Sequence, residues 1–252
     1  MGALGIRIGV GLGGRRRRGP FTPAMLFANG EQGVWFDPAD LATMSQDSSG
    51  TVPAAVDAPV GRLGDKSGRG NHAVQATAAA RPMLRKDEGG RNYLQFDGVD
   101  DLLRALFSIP QPFERVSAIR HGNTDGNSRQ TFGGGSAAGG MLFHHAPVPS
   151  LSIASSVTAA TRTDFAGGSN AVVTERFDGS NSRLGVNLAA FTTGHPGAVS
   201  PGGITIGGRH DGLSSGASNV RLYGLVMRAG AMGDTRLAQL RQHLADKAGI
   251  VL

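Results

Sequence analysis

Asp65-Lys66-Ser67-Gly68-Arg69-Gly70-Asn71-His72, followed further on by Phe96-Asp97-Gly98-Val99-Asp100-Asp101-Leu102, is where the chain declares its architecture. In the first segment, which closes on Asn71 and His72, Asp65 and Ser67 can hydrogen-bond nearby backbone N–H groups, and Gly68 and Gly70 supply positions of positive φ at no steric cost. Together they make a tight, self-satisfied corner. In the second, Asp97-Gly98 turns the chain, Asp101 sits at the end of that turn, and the apolar Phe96 and Leu102 anchor its ends in a core. Both segments read as structural corners between strands.

Outward from these corners, short apolar runs alternate with Gly, Asp, Asn and Ser clusters at the spacing of a β-sandwich. Strands are expected at 34–36, 73–76, 93–96, 102–106, 115–119, 141–144, 151–157, 204–206 and 220–227. Residues 172–177 and 183–188 alternate in the β manner, and Asp178-Gly179-Ser180-Asn181 supplies the turn of a hairpin between them. Thr22 as cap, Pro23 at the first helical position and Asn29-Gly30 as a stop mark a short N-terminal helix. Leu237, Leu240, Leu244 and Ala248 form one stripe of a C-terminal helix over 234–248, between a capping Asp234 and a terminating Gly249.

Composition agrees with many short strands. Of 252 residues, 40 are glycine and only 17% are charged, which favours turns over long helices. Without cysteine, neither disulfides nor thiolate metal sites hold the fold. No uninterrupted apolar stretch is long enough for a membrane helix, and the apolar opening precedes its positive charge, the reverse of a secretory signal. The net charge of +6 belongs to the first residues: Arg7, Arg15, Arg16, Arg17 and Arg18 precede any acid. Setting those five aside from 25 basic residues leaves 20 against 19 acidic ones. Residues 1–20 therefore read as a Gly/Arg-rich anchoring arm that cannot fold alone, and 21–252 as one domain.

The two corner segments, with Arg81-Pro82 between them, resemble the D-x-S-G-x-G-N and F-D-G-x-D-D sequences of concanavalin A-like, laminin-G-like jelly rolls. The resemblance extends to phage and prophage virion proteins of that group through Trp35-Phe36-Asp37-Pro38, Leu222-Tyr223-Gly224-Leu225 and the closing helix. It implies an all-β jelly-roll sandwich with a short N-terminal and a C-terminal helix. The function it implies is that of a non-enzymatic virion structural protein, part of a head decoration, fibre or tail, assembled in the bacterial host cytoplasm. The five arm arginines would dock on carboxylates of a capsid or tail surface. The alternative is a lectin-like adhesin for host surface glycans, presenting Gly122 to Ser128 and Gly207 to Asn219, although one Trp and two Tyr leave few rings for sugars to stack on. A homo-oligomer is expected; a nucleic-acid or membrane partner is not, since no aromatics interleave the arginines.

Chemistry-bearing patterns are few. Asp97, Asp100 and Asp101 offer the oxygens that calcium takes, as an alternative to the structural corner. Glucanases of the resembled fold carry E-x-D-x-x-E; the four glutamates here, Glu31, Glu88, Glu114 and Glu175, do not form it, which ranks a polysaccharide depolymerase last. Gly9-x-Gly11-x-x-Gly14 matches a dinucleotide fingerprint but lacks the helix that should follow it, so no cofactor is expected. The seven histidines show no metal-binding spacing; His144 and His145, adjacent on a strand, point to opposite faces. No G-x-S-x-G elbow is present.

Overall fold

The computed structural model describes residues 19–122, 128–145, 150–165, 167–212 and 216–252. Among them, two antiparallel sheets face one another and a single α-helix closes the chain. Strands are numbered in chain order. The first sheet runs β15 (Thr192–Gly194), β14 (Ser182–Val186), β13 (Asn170–Phe177), β8 (Phe113–His121), β17 (Asn219–Ala229), β6 (Asn92–Asp97), β5 (Met83–Lys86), and β1 (Gly33–Phe36) pairs with the distal half of β17. The second runs β12 (Thr158–Arg162), β11 (Ser150–Ala154), β10 (Met141–His145), β9 (Arg129–Gly133), β16 (Gly203–Ile206), β7 (Leu103–Leu106), β4 (Ala73–Val74), β3 (Arg62–Leu63), β2 (Met44–Ser45). Every pairing is antiparallel.

Period-two alternation sorts the side chains. Phe113, Ile119, Val173, Phe177 and Leu222 of the first sheet meet Leu103, Phe132, Leu142, Ile153 and Ile204 of the second in one core. The outer face of the first sheet presents Val116, Ala118, Val172 and Val226 to α1 (Asp234–Ala248), whose Leu237, Leu240 and Leu244 are buried there. At roughly 2 kcal/mol per buried leucine, that stripe is what holds the helix on the sheet. Gly249, with φ +65, ends it, and Ile250 N–H bonds back to Ala245 O. The helix packs on β8, β13 and β17 of the first sheet, and among the described residues the outer face of the second sheet is open over β4 and β7, where Val74 and Leu106 are exposed.

Several expectations are corrected in detail. The N-terminal helix is a short 3-10 helix, Pro23–Phe27, bounded by the three-residue-spaced bonds of Met25 N–H to Thr22 O and Gly30 N–H to Phe27 O, and the Thr22 side chain makes no capping bond. The helix cap is Gly233, not Asp234, which is already in the first turn; Leu237 N–H bonds to Gly233 O. The sequence reading lacked β2, β3, β5, β9, β12 and β15. The Val172 to Phe177 and Arg183 to Leu188 hairpin forms as β13 and β14, in register Val173 to Val186, but its second strand stops at Val186.

Candidate functional site

One carboxylate organises the corner at residues 65–72. Asp65 Oδ1 accepts from the N–H groups of Trp35 and Ser67, both at 2.9 Å; Oδ2 accepts from Ser67 Oγ at 2.7 Å and Asn71 N–H at 3.0 Å. Asn71 in turn donates its amide to Gly33 O at 2.8 Å, and Gly68 and Gly70 sit at φ +82 and +76. The corner is thereby stapled to the start of β1. Lys66 reaches Asp40 at 2.6 Å and Asp37 at 3.3 Å, and its ammonium lies 4.5 Å from the Trp35 ring centre. Asp37 also receives Lys247 from α1 at 3.0 Å. Burial opposes the Lys66 charge, but the hydrogen bonds and charges of Asp40 and Asp37 outweigh it and hold its pKa above the usual lysine value. Hydrogen bonding from Lys66 lowers Asp40 in return.

The same corner presents His72. Asp65 N–H donates to His72 Nδ1 at 3.0 Å, which assigns the ring proton to Nε2; burial, with the charge of Arg62, keeps its pKa below normal. This neutral imidazole forms one wall of a groove of about 550 Å³ on the open outer face, lined further by Val74, Gln75, Ala76, Leu102, Arg104 and Leu106. Behind it, a second hollow of about 300 Å³ runs beside Thr43, Ser45, Arg62 and Gly64. Val74 and Leu106, 39% and 64% exposed, give the groove an aliphatic floor. Gln75 is held in place, donating to Leu102 O at 3.3 Å and accepting from Thr77 N–H at 3.0 Å.

The Asp97 to Asp101 corner adjoins that groove through Leu102. Asp97 Oδ1 accepts from the N–H groups of Val99, Asp100 and Asp101 at 2.8, 3.3 and 3.4 Å, and Asp101 Oδ2 accepts from Asp97 N–H at 3.0 Å. Gly98 has φ +81, and a Cβ there would stand 2.8 Å from Asn219 N, so only glycine fits. The turn brings one oxygen each of Asp97, Asp100 and Asp101 within 4.8 Å of one another. A calcium ion takes six to eight oxygens, of which these residues supply three carboxylates. Burial, then the charges of Asp97 and Asp100, push the Asp101 carboxyl up to about 6.

The arm arginines Arg7, Arg15, Arg16, Arg17 and Arg18 lie outside the described residues, as do 123–127 and 213–215 of the two loops expected to meet glycans. Sequence reasoning missed a polar seam inside the sandwich. Arg115 on β8 is buried in an ion pair with Glu175, directly opposite on β13, and its guanidinium lies 4.4 Å from the Phe132 ring centre. His121 stacks on His144 from the other sheet, ring centres 4.5 Å apart, with Nε2 2.6 Å from Thr131 Oγ1. His144 and His145 do face opposite ways, His144 inward and His145 towards Ser152 Oγ at 2.5 Å. Arg115, Ser117 and His121, which share one face of the strand with the core residues Phe113 and Ile119 by period-two alternation, were the available signal.

No protein-family model and no curated protein matches the chain. Solved structures similar to it include an arabinofuranosidase complexed with arabinofuranosyl-alpha-1,2-xylobiose, at TM-score 0.63 and 10% identity over 90% of this chain and 65% of that one. Another is Trypanosoma rangeli sialidase in complex with sialic acid, at TM-score 0.56 and 13% identity over 92% of this chain and 36% of the sialidase. The chain thus spans about a third of the sialidase and somewhat under two thirds of the arabinofuranosidase. These likenesses establish an all-β sandwich shared with structures of glycoside hydrolases. They overturn one expectation: a chain built on this sandwich is not set apart from enzymes by its fold, and the non-enzymatic assignment is withdrawn.

Proposed function

We propose that the chain is a glycan-recognising module of the concanavalin A-like, laminin-G-like jelly-roll type, carried on a phage-type virion by its N-terminal arm, with the groove beside β4 and β7 as its sugar-contacting surface. The observation that carries this reading is the pairing of an exposed aliphatic floor, Val74 and Leu106, with the hydrogen-bonded His72 and Gln75 and the guanidinium of Arg104, on the sheet that α1 does not back. A sugar ring offers the complementary surface, C–H groups on its face and hydroxyls at its edge, and concave sites with few placed polar groups are where such ligands bind. The solved neighbours hold carbohydrates, sialic acid in one and an arabinofuranosyl-xylobiose in the other, which supports the ligand class. The arm's charge against a nearly neutral body, with the resemblance of the corner motifs, supports a virion surface as the partner.

A glycan array probed with the full chain tests the groove. Binding above background is expected, falling at least tenfold in Arg104→Ala and in Gln75→Ala and unchanged in Arg85→Ala, whose exposed pair with Asp57 lies elsewhere. Absence of binding, or binding indifferent to both groove substitutions, overturns the reading. Mass spectrometry of purified particles tests the carrier, and absence from intact particles counts against it.

A further inference from the structure

The helix-backed sheet carries a second polar pocket that the groove reading does not use. Arg120 on β8 stands directly opposite Arg221 on β17, on the outer face, and Asn170 on β13 stands directly opposite Arg120 on its other side. Like charges in such cross-strand positions are destabilising unless something negative lies between them. Among the described residues, no carboxylate is within ion-pair distance of either guanidinium. A third guanidinium, Arg91, closes the site from the turn between β5 and β6, but it is paired with Asp87 at 2.9 Å. Around these groups is a pocket of about 230 Å³, completed by Glu88 and Tyr223.

The surroundings orient this pocket for an anion. Arg221 is held with its guanidinium 4.8 Å from the Tyr93 ring centre, and Tyr93 packs on Tyr223 at 5.4 Å. Burial raises the pKa of Tyr223, against side-chain hydrogen bonds from Arg221 and Asn170 that tie its phenol oxygen to the groups flanking it. Asn170 donates to Ala248 O at 2.6 Å, taking up one of the negative carbonyls at the end of α1. Asp87 and Glu88 remain on the rim, suited to accept hydroxyl hydrogens. The volume is below the range of drug-sized sites and fits one monosaccharide-sized group, not an extended chain.

We infer that Arg120 and Arg221, with Tyr223, form a recognition site for the carboxylate of an acidic sugar unit, on the opposite sheet from the groove. A planar carboxylate can bridge two guanidiniums by paired hydrogen bonds and remove their mutual repulsion. The site is independent of the glycan groove, since it shares no residue with it.

Titration of the full chain with glucuronate, glucose and inorganic sulfate, followed by calorimetry or NMR, tests the inference. Glucuronate is expected to bind and glucose not, with affinity reduced at least tenfold in Arg120→Gln and in Arg221→Gln and unchanged in the groove variant Arg104→Ala. Melting temperatures of the ligand-free variants separate recognition from structure: relief of the like-charge pair leaves Arg120→Gln at least as stable as the parent chain. No glucuronate binding, equal binding of glucose, sulfate binding without glucuronate, or a lower melting temperature in Arg120→Gln would each overturn it.

Discussion

Replacing Asp101 by Asn should stabilise the chain above pH 6 and remove part of its pH dependence. Asp101 is only 6% exposed, yet it sits with Asp97 and Asp100 in one turn. Its carboxyl rises from 3.8 to about 6, chiefly through burial and secondly through those two charges, against the opposing bond from Asp97 N–H. A carboxyl with a higher pKa folded than unfolded favours the folded state only while protonated. Its contribution is complete below about pH 4 and is lost as pH rises through about 6. Two units at 1.36 kcal/mol each set the loss at about 3 kcal/mol. Partial solvation of the turn brings the expected gain of Asp101→Asn at pH 8 to roughly 1–3 kcal/mol. Asn keeps an oxygen to accept Asp97 N–H, so the turn is retained.

Urea unfolding from pH 4 to pH 8 measures this directly. Other groups titrate in the same window, so the informative quantity is the difference between parent and variant at each pH. That difference should be near zero or unfavourable at pH 4 and should grow in the variant's favour between pH 4 and 7, with an unchanged denaturant slope. A variant equal to or less stable than the parent at pH 8, or a difference independent of pH, refutes the argument that burial keeps this carboxyl partly protonated.

Three further outcomes follow from the same geometry. Asp97 Oδ1 already accepts three N–H groups, so millimolar calcium should leave the melting temperature unchanged; a rise that EDTA reverses would make the cluster a cation site. His121 is buried neutral, its pKa held down first by burial and then by His144, so stability should fall as pH drops below 6.5, and His121→Phe should flatten that limb in pH-dependent calorimetry. Glu114 is buried while receiving Arg176 at 2.7 Å, Arg183 at 3.2 Å and Met232 N–H at 2.5 Å; Glu114→Gln should cost about 3 kcal/mol in urea unfolding, and a loss under about 1 kcal/mol would show those partners to be dispensable.

What the sequence disclosed depended on how local the cause was. The helix over 234–248 was readable because its leucine stripe lies within the element and its terminating glycine directly follows it. The hairpin of β13 and β14 was readable for the same reason, with its turn residues between two alternating runs. β2 and β3 have two residues each, too few for any period, and exist because β4 offers an edge to β3 and β3 in turn offers one to β2. β5, Met83–Lys86, carries only two apolar residues and is held by β6. The groove escaped notice because Val74, Gln75 and Arg104 become neighbours only when Val74 pairs with Arg104 across β4 and β7. The facing of Arg120 and Arg221 is likewise a consequence of register, invisible until β8 and β17 are laid side by side.

Register in β17 turns on a single irregularity. Val220 and Leu222 face the core, but so do Leu225 and Met227, which an unbroken alternation would send to the other side. The pairing with β8 resolves the conflict by a shift between Leu222 and Gly224, which leaves Tyr223 as the extra residue. Tyr223 thereby joins Arg221 on the outer face, beside the polar pocket, while Gly224 lies under α1, where a Cβ would stand 2.8 Å from Leu244. Core packing, helix docking and the placing of the phenol are therefore not three separate adjustments. Each requires the same bulge, and the break in apolar spacing at Leu222-Tyr223-Gly224-Leu225 is its trace in the sequence.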